Sequence, residues 1–238
     1  MTRIFALILL MVALASPLGG GHAPAIEEHA FFPEGGWNRS DRVIQYNAFS
    51  LDSAIGLELV QEWAGSSVRH QFSYTLPIFS EAGITGVGDA SLNYRYQLFG
   101  RGDSAVAVAP RASLVLPTRS AHFGERESGI ELAIPMSVAL GDRMVSHSRG
   151  SAKWTASGGR PELKLAQGLA YTPVPRLSLS LDAEYLFVDG SALRYRPSVQ
   201  LNLDGPAGLR WSLGVAFPIG GERNGVLLYL AIEHPFSR

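Results

Sequence analysis

The stretch GVGDASLNYRYQLFG, residues 86–100, alternates along its length. Asp89, Ser91, Asn93, Arg95 and Gln97 take every second position, and Leu92, Tyr94, Tyr96 and Leu98 fill the gaps between them. Successive side chains of a strand point to opposite faces, so one face here is polar throughout and the other is aliphatic and aromatic. In a soluble sandwich the apolar face would form the core. In a membrane barrel it meets lipid, and the polar face lines a lumen.

The pattern recurs along the chain. Alternating segments separated by Gly, Asp, Ser and Pro clusters fall at 42–50, 54–63, 67–76, 88–98, 104–117, 129–140, 143–150, 161–171, 176–187, 192–203, 208–218 and 226–236. That makes about twelve strands, or ten if weak segments such as 143–150 are dropped. Segments of roughly 9–11 residues suit tilted strands crossing hydrocarbon.

The pair 176–187 and 192–203 carries a register test. A three- or five-residue connection around Asp189-Gly190-Ser191 sets Tyr185 opposite Tyr195, Phe187 opposite Leu193 and Leu181 opposite Val199. On the other face Glu184 meets Arg196 and Ser180 meets Gln200. Both faces stay consistent and an opposite-charge pair emerges. A two-residue turn would scramble every pair.

Loop lengths support a barrel whose N-terminus starts in the periplasm. Connections after even strands are short, and the longer ones, 77–87, 118–128 and 151–160, follow odd strands. Pro110, Pro135 and Pro197 fall inside predicted strands, where each removes a ladder donor, so bulges or misplaced strand boundaries are expected there.

A secreted β-sandwich or lipocalin-like barrel is the soluble alternative. Tyr46, Trp63, Tyr96, Tyr171, Tyr185, Phe187 and Phe217 weigh against it, because they cluster at strand ends, where a lipid-facing barrel carries its aromatic girdles. The C-terminus, with Leu228, Leu230 and Ile232 alternating toward Phe236, reads as a signal to the barrel-assembly machinery. The expected surroundings are therefore outer-membrane lipid.

Bulk composition narrows the partners. Charged residues are 17% of the 238, below the roughly 25% usual for soluble domains. The 20 Lys and Arg nearly balance 21 Asp and Glu with no basic block, so no nucleic-acid partner is expected. There is no cysteine, which excludes thiolate metal sites, disulfides and a Cys nucleophile.

At the N-terminus, Arg3 precedes an apolar run, Ile4–Ala15, that is too short to span a bilayer, and Pro17 and Gly19–Gly21 then break it. This is the anatomy of a secretory signal peptide. Cleavage fits after Ala15 or Ala25; the later site leaves a c-region and is favoured. The expected division is a signal peptide at 1–25, a periplasmic or luminal segment at 26–41, and a barrel at 42–238.

The block 86–100 followed by AVAVAPRASLVLPT resembles a family of bacterial outer-membrane proteins named for the meta-pathway of phenol degradation and labelled as transporters. The resemblance rests on the G-x-G-D strand start (Gly86, Gly88, Asp89), the Tyr-x-Leu strand end (Tyr96, Leu98) and a strand closing in Leu116-Pro117-Thr118. GLAYTPVPRLSLSLDAEYLF and LRYRPSVQLNLDGPAGLRWSLGVAFPI are also similar, and about residues 42 to 236 are covered. The family's usual Gly after Leu-Pro-Thr is Arg119 here. Membership implies an outer-membrane barrel passing small, often aromatic, compounds.

Chemistry is sparse. A barrel hydrolase would need Ser, His and an acid converging at one rim. Ser120 with His122 lies in one predicted external loop, and Ser146, His147 and Ser148 lie near the next, but no G-x-S-x-G elbow is present. The six His are scattered without H-x-H or H-x-x-x-H spacing, so no metal is expected, and no cofactor motif is found. Gly86-x-Gly88 is followed by no helix and reads as a strand start rather than a phosphate loop.

The candidate functional set is the luminal lining: Asp89, Asn93, Arg95, Gln97, Asp182, Glu184, Arg194, Arg196 and Gln200. Either these residues line a narrow water path and set its charge preference, or they pair and plug a small barrel. The expected role is passive passage of a small-molecule solute, hydrophobic or aromatic. The alternatives are a lipid hydrolase at the extracellular rim and a closed structural barrel.

Overall fold

The computed structural model describes residues 42–51, 54–100, 104–188, 192–206, 209–217 and 226–236. The expected signal peptide and the 26–41 segment lie outside the described residues. The strands are β1 (Arg42–Leu51), β2 (Ala54–Ala64), β3 (His70–Glu81), β4 (Ile84–Val87), β5 (Ala90–Tyr96), β6 (Val106–Val108), β7 (Arg111–Leu116), β8 (Gly129–Ala139), β9 (Met144–Thr155), β10 (Glu162–Val174), β11 (Leu177–Val188), β12 (Ala192–Asp204), β13 (Arg210–Ala216) and β14 (Leu227–Phe236).

These fourteen pieces build twelve wall strands. β4 and β5 both pair with β3 and form one interrupted strand; β6 and β7 both pair with β8 and form another. Every pairing is antiparallel between neighbours, and β1 pairs with β14 from Arg42↔Phe236 to Leu51↔Leu227. The sheet is therefore a closed up-and-down barrel, whose ladders satisfy the backbone groups that lipid cannot.

The orientation of the wall follows from burial. Leu181, Leu213 and Ile130 are more than half exposed, and Leu132, Leu179 and Val199 are exposed as well. On the alternate positions Asn47, Gln200 and Ser212 are 1% exposed, and Gln71, Arg95 and Ser180 are also buried. The greasy side faces out and the polar side faces in, as a membrane-spanning barrel requires. Tyr46, Tyr171, Tyr185 and Phe217 all lie exposed on the outer side. Further rings, Trp63, Phe72, Tyr74 and Tyr94, join in an outer cluster with centroids 5.3–6.4 Å apart.

The β11–β12 register is the predicted one. Tyr185 pairs with Tyr195, Phe187 with Leu193, Leu181 with Val199, Glu184 with Arg196 and Ser180 with Gln200.

Several expectations are corrected. The predicted long loop 77–87 is a hairpin: β3 runs to Glu81, and Ala82 and Gly83, both at positive φ, turn the chain into β4. The weak segment 143–150 is the front of a 12-residue strand, and only residues 156–161 connect it to β10. At Pro110 the misplaced boundary is the alternative that holds, whereas Pro135 and Pro197 sit inside regular strands. Register passes Pro135 opposite Arg149 and Pro197 opposite Ala183 without a shift. Pro110 splits β6 from β7, yet Val108↔Met136 and Arg111↔Ala133 keep step across it. The irregularity lies on the other neighbour, where the amides of Leu98 and Phe99 both donate to the Val108 carbonyl. Consecutive Leu98 and Phe99 therefore both face out.

The inner face is not uniformly polar. Ala107, Ala139, Val145 and Ala170 form one fully buried apolar patch, and Ala216, Leu227, Tyr229 and Ala231 form a second.

Candidate pore lining

Asn93, Arg95 and Gln97 follow one another on the inward face of the β5 strand and its extension. The Asn93 Nδ2 donates to Ser73 Oγ on β3 at 3.1 Å. Gln97 has a local structural job, since its Nε2 donates to the Phe99 and Val108 carbonyls and closes the bulge. On β11 and β12, Asp182 accepts from the Ser198 hydroxyl, and Gln200 donates to Asn202 Oδ1 at 2.6 Å. Asn202 in turn donates to Ser178 and Ser180, so this part of the wall is clad in a continuous amide and hydroxyl layer. Glu184 stands opposite Arg196 in the ladder. The backbone register puts Arg194 and Arg196 in phase with Ser198 and Gln200, but their side chains lie outside the described residues.

Asp89 differs from the rest. It sits in the gap between β4 and β5, its side chain 5% exposed, 2.9 Å from the Arg119 guanidinium. Its two oxygens also accept from the backbone amides of Arg119 and Glu127. It anchors the loop after β7 rather than lining open space.

The structure adds inward groups that the sequence reading did not single out. Glu131 on β8 is held between two guanidiniums: it pairs with Arg149 on β9 and lies 3.4 Å from Arg111 on β7. Lys153 pairs with Glu127 and Lys164 with Glu162. Toward the barrel seam, the Tyr229 hydroxyl donates to Asn47, Asn47 donates to Glu58, and Gln71 donates to Glu62. Strand alternation accounts for all of them except Glu127, which lies in the loop before β8.

The inward charges are unevenly placed. β5, β7, β9 and β10 contribute Arg95, Arg111, Arg149, Lys153 and Lys164, with Glu131 and Glu162 among them, whereas β2, β11 and β14 contribute Glu58, Glu62, Asp182, Glu184 and Glu233, with Arg210 of β13 among them and Arg194 and Arg196 of β12 added by register. Cations are in excess on the first arc and acids on the second, and such an imbalance sets up a field across the barrel.

The two Ser/His groups do not converge. Ser120 Oγ accepts the Val87 amide at the mouth opposite the end that carries Arg42 and Phe236. The Ser146–Ser148 run, expected near an external loop, instead begins β9, just after the short turn at the end of the barrel that carries Arg42 and Phe236. There His147 is buried and bonds Ser137 at 2.8 Å, while Ser146 and Ser148 bond Gln167. Among the described residues no group of three His, Asp or Glu is arranged to hold a metal.

No family model matches the chain, and no curated protein matches it. Solved structures do. The KdgM porin superposes with a TM-score of 0.65 at 13% identity, covering 82% of this chain and 99% of that one. The COG4313 outer membrane channel from Pseudomonas putida F1 gives 0.65 at 16% identity, covering 89% and 100%. The NanC porin gives 0.60 at 10% identity, covering 83% and 100%. At such identities the likeness is one of fold: this chain has the twelve-stranded barrel of these channels.

Proposed function

We propose that this chain is an outer-membrane channel for passive passage of small hydrophobic or aromatic solutes. The observation that carries the reading is the inside-out wall: leucines and aromatics face outward, and a charged, amide-rich face with an excess of cations on one arc faces inward. A barrel sealed for purely structural ends gains nothing from a transverse field. The resemblance to the phenol meta-pathway family supports the solute class, and the fold shared with the COG4313 outer membrane channel supports the channel role. The arginine arc suits a solute with an apolar body and a carboxylate, and the KdgM porin of like fold has been solved with oligogalacturonate. On this reading the chain is exported by its signal peptide, inserted by the barrel-assembly machinery and surrounded by outer-membrane lipid.

A closed structural barrel is the second reading, favoured by the two inward apolar patches, whose alanines are 0–3% exposed. Planar-bilayer conductance separates the two. The channel reading expects discrete conductance steps and faster liposome entry of benzoate than of a sugar of equal size. Purified, folded protein giving a silent bilayer overturns it.

A further inference from the structure

We infer that the loop of residues 117–128 is a constriction folded onto the inner face of the barrel mouth, and that the Gly86-x-Gly88-Asp89 motif is its anchor. This rests on the channel reading above. The motif interrupts a wall strand: β4 ends at Val87, β5 starts at Ala90, and β7 reaches only as far as the pair Ala90↔Leu116. Beyond that point the edge of β4 has no strand neighbour, and the loop takes its place. The Ser120 amide donates to the Val87 carbonyl at 2.9 Å, and the Val87 amide donates to Ser120 Oγ at 3.0 Å. Thr118 Oγ1 bridges the gap, accepting from the Ala90 amide and donating to the Gly88 carbonyl, both at 2.8 Å.

The side on which the loop lies follows from alternation. Phe79 pairs with Gly86 and alternates in phase with the buried Gln71, so both positions face inward. Phe123 of the loop packs on Phe79 with centroids 6.1 Å apart. A Cβ at Gly86 would stand 2.6 Å from Ser120 Oγ and 2.9 Å from the Phe123 ring, so this glycine is the space the loop occupies. Asp89, also inward, holds the loop at both ends through the amides of Arg119 and Glu127 and the Arg119 guanidinium. Between these anchors the tip, His122 to Arg126, leaves His122, Glu125 and Arg126 exposed. A loop pinned inside the rim narrows the entrance and presents those side chains to whatever enters.

The test compares wild type, Asp89→Ala, Phe123→Ala and a chain with residues 121–126 replaced by Gly-Ser-Gly, each first shown folded by heat-modifiable gel migration. Single-channel conductance is expected to rise about twofold or more in the released variants. Trypsin is expected to begin cutting at Arg126 in Asp89→Ala. A silent wild type with conducting variants also supports the inference, with the loop closing the mouth. A conducting wild type with variants of unchanged conductance overturns the inference alone, whether or not trypsin cuts. Folded proteins that are silent throughout overturn it together with the channel reading.

Discussion

Arg95 and Arg111 stand directly opposite each other across the β5–β7 ladder, two guanidiniums on one inward face. Like charges so placed weaken a sheet by roughly 0.2–1 kcal/mol, so the wall keeps them at a cost. Glu131 lies 3.4 Å from Arg111 and also pairs with Arg149, making one carboxylate among four neighbouring charged groups. The arrangement concentrates positive potential on one arc, where a passing anion would feel it most.

Arg95→Gln is therefore expected to lower the anion-to-cation permeability ratio about threefold, equivalent to ~0.7 kcal/mol. Reversal potential under a KCl gradient measures it. An unchanged ratio in a conducting, folded variant removes Arg95 from the selectivity machinery.

Glu131→Ala leaves Arg111 and Arg149 facing each other without their shared carboxylate. Breaking a dry buried pair costs roughly 3–5 kcal/mol. These side chains keep 16–21% exposure, so the expected loss is about 2 kcal/mol, screened in part by lumen water. Urea unfolding of the detergent-folded barrel should show a lower midpoint for Glu131→Ala, and Glu131→Gln should recover part of it.

Where both faces obey the period of two, the sequence was legible down to register. On β11 Leu177, Leu179, Leu181, Tyr185 and Phe187 are outward and the serines and acids inward, and the pairing with β12 follows from one consistent offset. The β3–β4 hairpin was not legible for a physical reason. Its inward Pro77 and Phe79 are apolar, because Phe79 packs on the turned-in loop and Pro77 against Gly88, so the alternation vanishes and the glycines read as a loop. β9 hid itself the opposite way. Its outward positions Ser146, Ser148, Gly150 and Ala152 are small or polar, and the two serines are satisfied by Gln167 on β10. The charged belt follows the same alternation, since Arg111 alternates with Leu114 and Glu131 with Leu132 as plainly as Asn93 does with Leu92.

The outer aromatic cluster offers a stability test independent of the pore. Phe72 lies between the stacked Trp63 ring at 6.3 Å and Tyr94 at 5.3 Å. Aromatic pairs contribute about 0.5–1.5 kcal/mol beyond burial, so Phe72→Ala should destabilise the folded barrel by at least ~1 kcal/mol while leaving conductance unchanged. A change in conductance with unchanged stability would contradict the outward placement of this ring.

The firmest test of the wall's orientation is Leu181→Arg. Leu181 lies near the middle of β11, 58% exposed, opposite Val199, with Ser180 and Asp182 buried on either side of it in sequence. If hydrocarbon meets this face, an arginine at mid-depth costs about 2–4 kcal/mol, and the cost falls toward the strand ends. Folding titrations into phospholipid vesicles should show that penalty for Leu181→Arg and a smaller one for Leu177→Arg at the end of the same strand. If instead both variants fold as wild type in vesicles, the outer face does not meet lipid, and the barrel is a soluble one whose exposed leucines face water.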